Sequence, residues 1–178
     1  IAHFIEIVDD VVRISPLRDA PSISAIDIGS GKGYLTFALY DFFTSRLGKS
    51  CTFNGVEVRP DLVKLCNGLA GRLGFNGLIF EAAQAAATNV TPVDLVVALH
   101  ACDTATDDAI YRGIAGGAAI IFCAPCCQHE IAPQLSDANA AIKGLVKYGL
   151  FKQRQADLFT DAGRALLMEA AGYKVKII

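Results

Sequence analysis

The stretch SISAIDIGSGKG at residues 22–33 passes from isoleucine-rich apolar sequence directly into three closely spaced glycines. The following residues, YLTFALYDFFTSRL, take up the apolar spacing of a helix. This order predicts a buried strand, a tight turn and a helix. Gly29, Gly31 and Gly33 lack a Cβ atom, so the backbone there can bend sharply and approach a ligand closely.

The same strand-to-helix alternation continues in both directions from this unit. A leading helix is predicted in HFIEIVDDVVRI, and four further strands are predicted in CTFNGVEV, GLIFEAAQ, VDLVVALHA and AAIIFCA. Helices are expected from Pro60 to Gly74, from about Thr106, and at 137–149 and 160–171, before a sixth strand in YKVKII. The pattern predicts an α/β fold with a doubly wound, mostly parallel sheet and helices on both faces. In such sheets ligands bind at the carboxyl ends of the strands.

Length and composition limit the class of protein. At 178 residues, one domain with its own core is expected. The 53% hydrophobic and 19% charged residues exclude a disordered chain, and no apolar run is long enough for a membrane span. Six cysteines without framework spacing favour a reducing compartment, so a cytoplasmic location is expected. Because the chain opens on Ile1 rather than Met, an upstream segment with a targeting signal is left open.

Charge is distributed unevenly along the chain. Residues 1–142 carry nine Lys and Arg against 15 Asp and Glu, whereas residues 143–178 carry seven against three. The C-terminal part therefore has a net charge of +4 within a chain of net charge −2. A basic binding face and a solvated helix surface both fit this excess.

The glycine turn does not match two common nucleotide-binding motifs. A phosphate-binding P-loop requires glycine at the position of Ile26 and Ser or Thr at that of Gly33. The dinucleotide fingerprint requires its third glycine where Tyr34 stands, which disfavours NAD and FAD.

Two acidic residues strengthen the prediction of a ligand site near this turn. Asp27 lies within the apolar strand, where a buried carboxylate needs a polar partner. Glu57 ends the second strand, where a carboxylate can accept hydrogen bonds from ribose hydroxyls; a solvated strand end is the alternative.

The segments AIDIGSGKGYL, GVEVRPD and VDLVVALHA together resemble the class I S-adenosylmethionine-dependent methyltransferases, with a match from residue 23 to the end of the chain. This places a leading helix and linker at 1–22 before a methyltransferase domain at 23–178. ALHACDTATDDAI followed by PCC is similar to a subfamily that includes the tRNA 2'-O-methyltransferase of the acceptor stem and a glutathione-transferase-related protein. Relatives in that subfamily have glycine where this chain has Asp103.

The resemblance implies S-adenosylmethionine as cofactor and assigns residues to its parts. Those implied to bind the cofactor are Asp27, Gly29, Ser30, Gly31, Gly33, Tyr34, Glu57, Arg59, Ala83, Gln84, Leu99 and His100. Glu57 is expected to hold the ribose, and Gln84 takes the place of the usual acid at the adenine. No metal ion is implied. The fold usually ends with a seventh strand beside the fifth, so the chain is expected to be truncated at its C-terminus.

The loop after the fourth strand is expected to carry the catalytic chemistry. His100 has the intrinsic pKa range of a general base, and it lies at a carboxyl strand end. Asp103 and Asp107 are candidates to orient this histidine, although helix capping by Asp103 and Thr104 is the favoured role.

The segment FCAPCCQHE at 122–130 concentrates Cys123, Cys126, Cys127 and His129. A zinc site is disfavoured because no second pair of Cys or His ligands follows in the sequence. A redox pair is disfavoured because Cys123 lies inside an apolar strand. A Pro-Cys nucleophile, as in enzymes that methylate carbon 5 of cytosine, stays a minority alternative. The favoured interpretation places Cys126, Cys127 and His129 at the rim of the acceptor pocket, as catalytic candidates beside His100 and Asp103. Cys51, Cys66 and Cys102 are interpreted as small buried hydrophobic residues.

The functional hypothesis is therefore a methyltransferase with RNA as acceptor, based on the subfamily resemblance and the basic C-terminal segment. Methylation of a small molecule or a protein, and a non-catalytic cofactor-binding domain, are the alternatives. An NAD-dependent oxidoreductase is a weaker one, because of Tyr34.

Overall fold

A computed structural model describes residues 1–87, 91–99, 101, 103–125, 130–135 and 143–177. It contains five strands: β1 (Ser22–Ile28), β2 (Ser50–Glu57), β3 (Leu78–Ala82), β4 (Leu95–Ala98) and β5 (Ile120–Cys123). All described pairings are parallel, in the order β3-β2-β1-β4-β5. The predicted doubly wound α/β architecture is confirmed. Strand order reverses beside β1, where Asp27 pairs with Gly55 on one side and Val97 on the other.

The described helices are α1 (Ala2–Arg13), α2 (Tyr34–Asp41), α3 (Pro60–Leu73), α4 (Thr104–Ala115), α5 (Ile131–Gln134), α6 (Lys143–Val146) and α7 (Gly149–Ala170). α2 continues into a π-helical turn at Phe42–Arg46. α3 begins and ends as predicted, because Pro60 fits the first helical turn and Gly74 adopts the left-handed conformation that stops the helix.

Two apolar layers enclose the sheet. The larger joins α1, α2 and α3 to one sheet face and includes Val8, Leu39 and Phe53. The smaller joins α4 to the opposite face through Val96 and Ala109. Leading helix α1 belongs to the larger layer, and its Phe4 meets Phe122 of β5 edge to face at 5.3 Å. The predicted burial of Cys51 and Cys66 is confirmed, while Cys102 lies outside the described residues.

The C-terminal region differs from the sequence prediction. Residues 149–170 form one helix, so the break expected between 149 and 160 is wrong; the first predicted stretch lies partly outside the described residues. The predicted sixth strand is also wrong, since residues 173–177 form no strand. Alternating apolar residues alone do not make a strand, because a strand needs a neighbour for its backbone hydrogen bonds. No helix in the described part of the chain is both long and apolar enough to cross a bilayer.

Candidate functional site

A cavity of about 840 Å³ opens at the carboxyl ends of β1, β2 and β4. This is where a parallel sheet of this order is expected to bind a ligand. The predicted cofactor residues that line it are Asp27, Gly29, Ser30, Gly31, Tyr34, Glu57, Arg59, Ala83 and Leu99. The strands β1 and β2 thus bring most of the sequence-predicted set to one place.

The glycine turn forms the floor of this cavity. Gly29, Gly31 and Gly33 all have positive φ, at 76°, 58° and 72°, a conformation that favours glycine. The amides of Gly29 and Ser30 donate to the Val56 carbonyl at 2.9 and 3.0 Å, which fastens the turn to β2. Backbone hydrogen bonds therefore hold the turn in place. Because glycine has no side chain, the backbone of Gly29 and Gly31 faces the cavity directly.

Gly33 has a different role from that of the other two glycines. A Cβ atom there would lie 3.0 Å from the rings of both Phe37 and Phe80. Gly33 therefore permits close packing of α2 on β3, and it is absent from the cavity lining. The implied contact between Gly33 and the cofactor finds no support in this placement.

Glu57 lines the cavity and accepts four hydrogen bonds. It is 5% exposed, so the solvated strand end considered from the sequence is wrong. Its Oε2 accepts from the Gly31 amide at 2.9 Å and Arg59 Nη2 at 3.2 Å, and its Oε1 accepts from the Arg59 amide at 3.1 Å and Nε at 2.9 Å. The hydrogen bonds from Arg59, above all, lower the pKa of Glu57, so the carboxylate is charged.

Asp27 has the polar partner that its burial requires. The side chain is 4% exposed, and Thr36 Oγ1 donates to its Oδ2 at 2.6 Å. Burial nevertheless raises the pKa of Asp27 to about 7, only partly offset by the Thr36 hydrogen bond. A cationic group in the cavity would favour the ionised form of this carboxyl.

The residues present fit the cofactor that the methyltransferase resemblance implies. Ser30 Oγ is buried at the turn without a hydrogen-bond partner among the described atoms. A Cβ atom at Gly31 would lie 3.9 Å from Arg59 Nη2 and 4.0 Å from Glu57 Oε2, so a side chain there would occupy space beside the Glu57 carboxylate. S-adenosylmethionine carries ribose hydroxyls and positive charge, which match Glu57 and Asp27 respectively.

Gln84 and His100 are two further predicted cofactor residues. Gln84 is exposed and outside the cavity lining, whereas its neighbours Ala83 and Ala85 line the cavity. His100 lies outside the described residues. The roles of both stay predictions.

Sequence reasoning missed the wall formed by α1. Ile1 and Phe4 line the cavity, and Ala101 and Ala105 line it from the side of β4. Phe4 lies on the apolar face of the predicted leading helix. The helical period therefore indicated that Phe4 is buried, but not that it lies beside the cavity. Lys32 also lines the cavity, within the glycine turn itself.

The loop after β4 is fastened by Arg164, a residue that sequence reasoning did not select. Arg164 lies on α7 and is 7% exposed. Its Nε and Nη2 donate to the two carboxylate oxygens of Asp107 at 2.7 and 2.9 Å, and Nη2 also donates to the Asp103 carbonyl at 2.9 Å. Asp107 is thus paired with an arginine 57 residues away, and no local sequence pattern predicts this pair.

Asp103 occupies the N-cap position of α4, but its side chain makes no capping hydrogen bond. That part of the capping prediction is wrong, because Asp103 Oδ1 instead accepts from the Glu130 amide at 3.3 Å. Its φ of 54° and ψ of −131° form a conformation that glycine adopts easily.

The cysteine-rich segment is described only at its edges. Cys123 is half-buried at the end of β5, and burial raises the pKa of its thiol to about 12, which disfavours a reactive thiolate. Cys126, Cys127 and His129 lie outside the described residues. Among the residues that are described, no three His, Cys, Asp or Glu side chains are arranged to hold a metal ion.

Residues 1–134 match a protein family described as a methyltransferase domain. The chain belongs to this family. No curated protein matches the sequence of this methyltransferase domain.

Solved structures with a similar fold were also found for this methyltransferase domain. It is similar to coclaurine N-methyltransferase bound to N-methylheliamine and SAH, at 14% identity over 57% of this chain and 26% of that chain, with a TM-score of 0.43. It is also similar to the YcgJ protein of Bacillus subtilis, at 15% identity over 60% of this chain and 44% of that chain, with a TM-score of 0.45. A third similar structure is a Listeria monocytogenes protein described as a putative class I S-adenosylmethionine-dependent methyltransferase. The identity is 20% over 53% of this chain and 29% of that chain, with a TM-score of 0.45. The alignments span less than half of each of these three proteins.

Proposed function

We propose that this methyltransferase domain binds S-adenosylmethionine in the cavity at the ends of β1, β2 and β4 and transfers its methyl group to RNA. The observation that carries the proposal is Glu57: a buried, charged carboxylate at the end of β2, joined to Gly31 of the glycine turn at 2.9 Å. A carboxylate at this position of a doubly wound sheet can accept hydrogen bonds from a ribose.

The cofactor, when bound, would supply a methyl group on a sulfonium, whose sulfur keeps the electron pair of the broken C–S bond and leaves as a neutral thioether. The chain's own residues then have to orient the reactants and exclude water. Phe4, Leu99 and Ala101 provide apolar wall for the second task, while the glycine turn and Glu57 provide fixed polar groups for the first.

Binding of a ribose at Glu57 requires an exchange of partners. Its two oxygens already accept four hydrogen bonds, three of them from Arg59. The Gly31 and Arg59 amides are fixed backbone donors, whereas the Arg59 side chain is 61% exposed. We therefore expect the Arg59 guanidinium to give way to the ribose hydroxyls, at little cost because it can return to water.

RNA is proposed as acceptor on two grounds. The sequence after β4 is similar to a subfamily that includes a tRNA 2'-O-methyltransferase, and residues 143–178 carry a net charge of +4. A hydroxyl acceptor needs a base near the transferred methyl group, and His100 is the proposed base. Cys126, Cys127 and His129 are proposed to border the same acceptor.

Titration calorimetry with S-adenosylmethionine, and separately with NAD, tests the cofactor. We expect binding of the former and no heat from the latter. Absence of binding to S-adenosylmethionine would refute the proposed donor, and binding of NAD alone would favour an oxidoreductase.

The acceptor is tested by incubating the protein with methyl-labelled cofactor and either total RNA or an RNA-free extract. Label in RNA that is lost on ribonuclease treatment is the expected result. Label only in the RNA-free extract would replace RNA with a small molecule or a protein. Cofactor binding without transfer to either would indicate a non-catalytic binding domain.

A further inference from the structure

The start of α7 and the short helix before it form a basic and aromatic surface. Residues 143–156 contain Lys143, Lys147, Lys152 and Arg154 and no acidic residue. Tyr148 and Phe151 are 58% and 47% exposed in the same segment. We call residues 143–156 the basic-aromatic segment.

The aromatic and basic side chains of this segment lie together. The Tyr148 and Phe151 rings meet edge to face at 6.0 Å, and Lys147 Nζ lies 5.6 Å from the centre of the Tyr148 ring. Lys143, Lys147 and Arg154 are exposed. Cations beside exposed ring faces are what single-stranded nucleic acid requires, since phosphates pair with the cations and bases stack on the rings.

Two contacts, one from Arg164 on α7 and one from Tyr173 just beyond its end, fix the direction of this helix relative to the sheet. Arg164 binds Asp107 in the first turn of α4, at the carboxyl edge of the sheet. Tyr173 Oη donates to the Ala118 carbonyl, between α4 and β5 at the amino edge. Going back from Arg164, the helix therefore runs away from the sheet beyond its carboxyl edge, and Gly149 lies about 22 Å from Arg164 along the axis at 1.5 Å per residue.

The cofactor cavity opens at this same edge, and Ala101 and Ala105 of its lining flank Asp103, whose carbonyl Arg164 binds. An acceptor must approach the methyl group from this side. The basic-aromatic segment is thus a projection on the acceptor side, attached to the loop that borders the cavity.

From this placement we propose that the basic-aromatic segment is an RNA-docking surface that holds a single-stranded part of the acceptor RNA beside the cofactor cavity. This proposal rests on RNA being the acceptor. It extends the proposed function by locating RNA recognition in residues beyond 134, outside the part of the chain that matches the methyltransferase family.

The distribution of charge along α7 favours RNA over a membrane surface. The exposed apolar residues Leu158, Phe159 and Leu166 continue along the helix, but Asp157 and Asp161 accompany them. A helix lying on an anionic bilayer carries its basic residues along the whole apolar stripe. Here the cations are gathered at one end, as expected for a local polyanion contact.

The test measures binding of a fluorescently labelled single-stranded RNA of mixed sequence to the full chain by anisotropy, across a series of salt concentrations. In the triple variant Lys143→Gln, Lys147→Gln, Arg154→Gln we expect the slope of log affinity against log salt to fall by about 2, since each lost phosphate contact on a single strand removes about 0.7. In the double variant Tyr148→Ala, Phe151→Ala we expect binding at least about 30-fold weaker with an unchanged slope, because stacking involves no counterion release.

A matched control neutralises Arg18, Lys64 and Arg72, three exposed basic residues elsewhere on the surface. It removes the same charge and should leave affinity within about twofold. Equal loss in this control and in the triple variant would overturn the proposal, because binding would then follow net charge alone. Binding of vesicles containing phosphatidylserine together with no binding of RNA would also overturn it, in favour of a membrane contact.

Calorimetry with S-adenosylmethionine on the same samples separates the two proposals. Retained cofactor binding with no RNA binding by the unmodified chain refutes the docking surface and leaves the methyl donor in place. RNA binding that depends on the segment, with no cofactor binding, supports the docking surface and refutes the donor.

Discussion

The two halves of the sheet's carboxyl edge are built in different ways. At the ends of β1 and β2, the polar groups of the cavity are satisfied by near neighbours: Asp27 by Thr36, and Glu57 by Gly31 and Arg59. At the end of β4, Arg164 on the distant helix α7 binds Asp107 and the Asp103 carbonyl, beside the local bond from Thr106 Oγ1 to the Ala101 carbonyl. The cofactor half is therefore locally determined, whereas the acceptor half depends on how the C-terminal helix docks.

The strongest test of the cofactor half is Glu57→Ala. The change removes both the proposed ribose ligand and the support of the Gly31 amide. Since a hydrogen bond to a charged group contributes about 1.5–3 kcal/mol, we expect S-adenosylmethionine affinity to fall by at least about 100-fold in calorimetry. Glu57→Gln keeps the shape and should lose less. An affinity of the alanine variant within threefold of the original would remove Glu57 from the site.

Asp27→Asn tests the same half through pH. The folded pKa of Asp27, about 7, lies above its ordinary value of 3.8, so the folded state holds this proton more tightly than the unfolded state does. Ionisation of Asp27 therefore lowers the free energy of unfolding progressively as the pH rises from about 4 to about 7, and the penalty is complete above that range.

Asparagine can still accept from Thr36 but carries no charge. In urea titrations we expect the variant's free energy of unfolding to exceed that of the original by about 4 kcal/mol at pH 8 and to be nearly equal to it at pH 3.5. Thr36→Val is the companion variant, which should destabilise at both values. A pH-independent difference for Asp27→Asn would contradict the raised pKa.

Arg164→Ala tests the dependence of the acceptor half on α7. The variant loses the bidentate bond to Asp107 and the bond to the Asp103 carbonyl. We expect the free energy of unfolding to fall by about 2 kcal/mol, below the full cost of breaking a buried pair because Asp107 is half exposed. Arg154→Ala, an exposed arginine on the same helix, should change it by less than about 0.5 kcal/mol. Equal effects of the two variants would refute the fastening role.

Arg59→Ala is expected to have the smallest effect. The guanidinium bonds the carboxylate that the ribose is proposed to use, so its loss removes a competitor as well as a neighbour. We expect S-adenosylmethionine affinity to change by less than about fivefold in either direction, since the exposed guanidinium is screened by water and contributes little to the pair. A loss as large as that of Glu57→Ala would instead make Arg59 a direct ligand, and Arg59→Lys would then show whether charge alone suffices.

The cofactor half could be predicted from sequence because each determinant has a recognisable position in its own strand and turn. The glycine spacing and the aspartate belong to β1 and its turn, and the glutamate ends β2. Gly33 shows the limit of this reasoning, since sequence grouped it with the ligand-facing glycines while the rings of Phe37 and Phe80 account for it.

The acceptor half could not be predicted to the same depth. Asp103 was recognisable as unusual only against a glycine in similar proteins, and its positive φ became evident only in three dimensions. Residues 150–159 belong to a helix that the sequence did not predict, and Leu150 and Leu158 are exposed on it.

By itself, the sequence determined the α/β alternation, the parallel strands and the glycine turn between Asp27 and Tyr34, because hydrophobic period and glycine placement act within a few residues. Tertiary structure alone decided that Phe4 lines the cavity and that Arg164 joins α7 to Asp107. These arrangements depend on contacts between residues far apart in the chain, whose geometry exists only once the layers have packed.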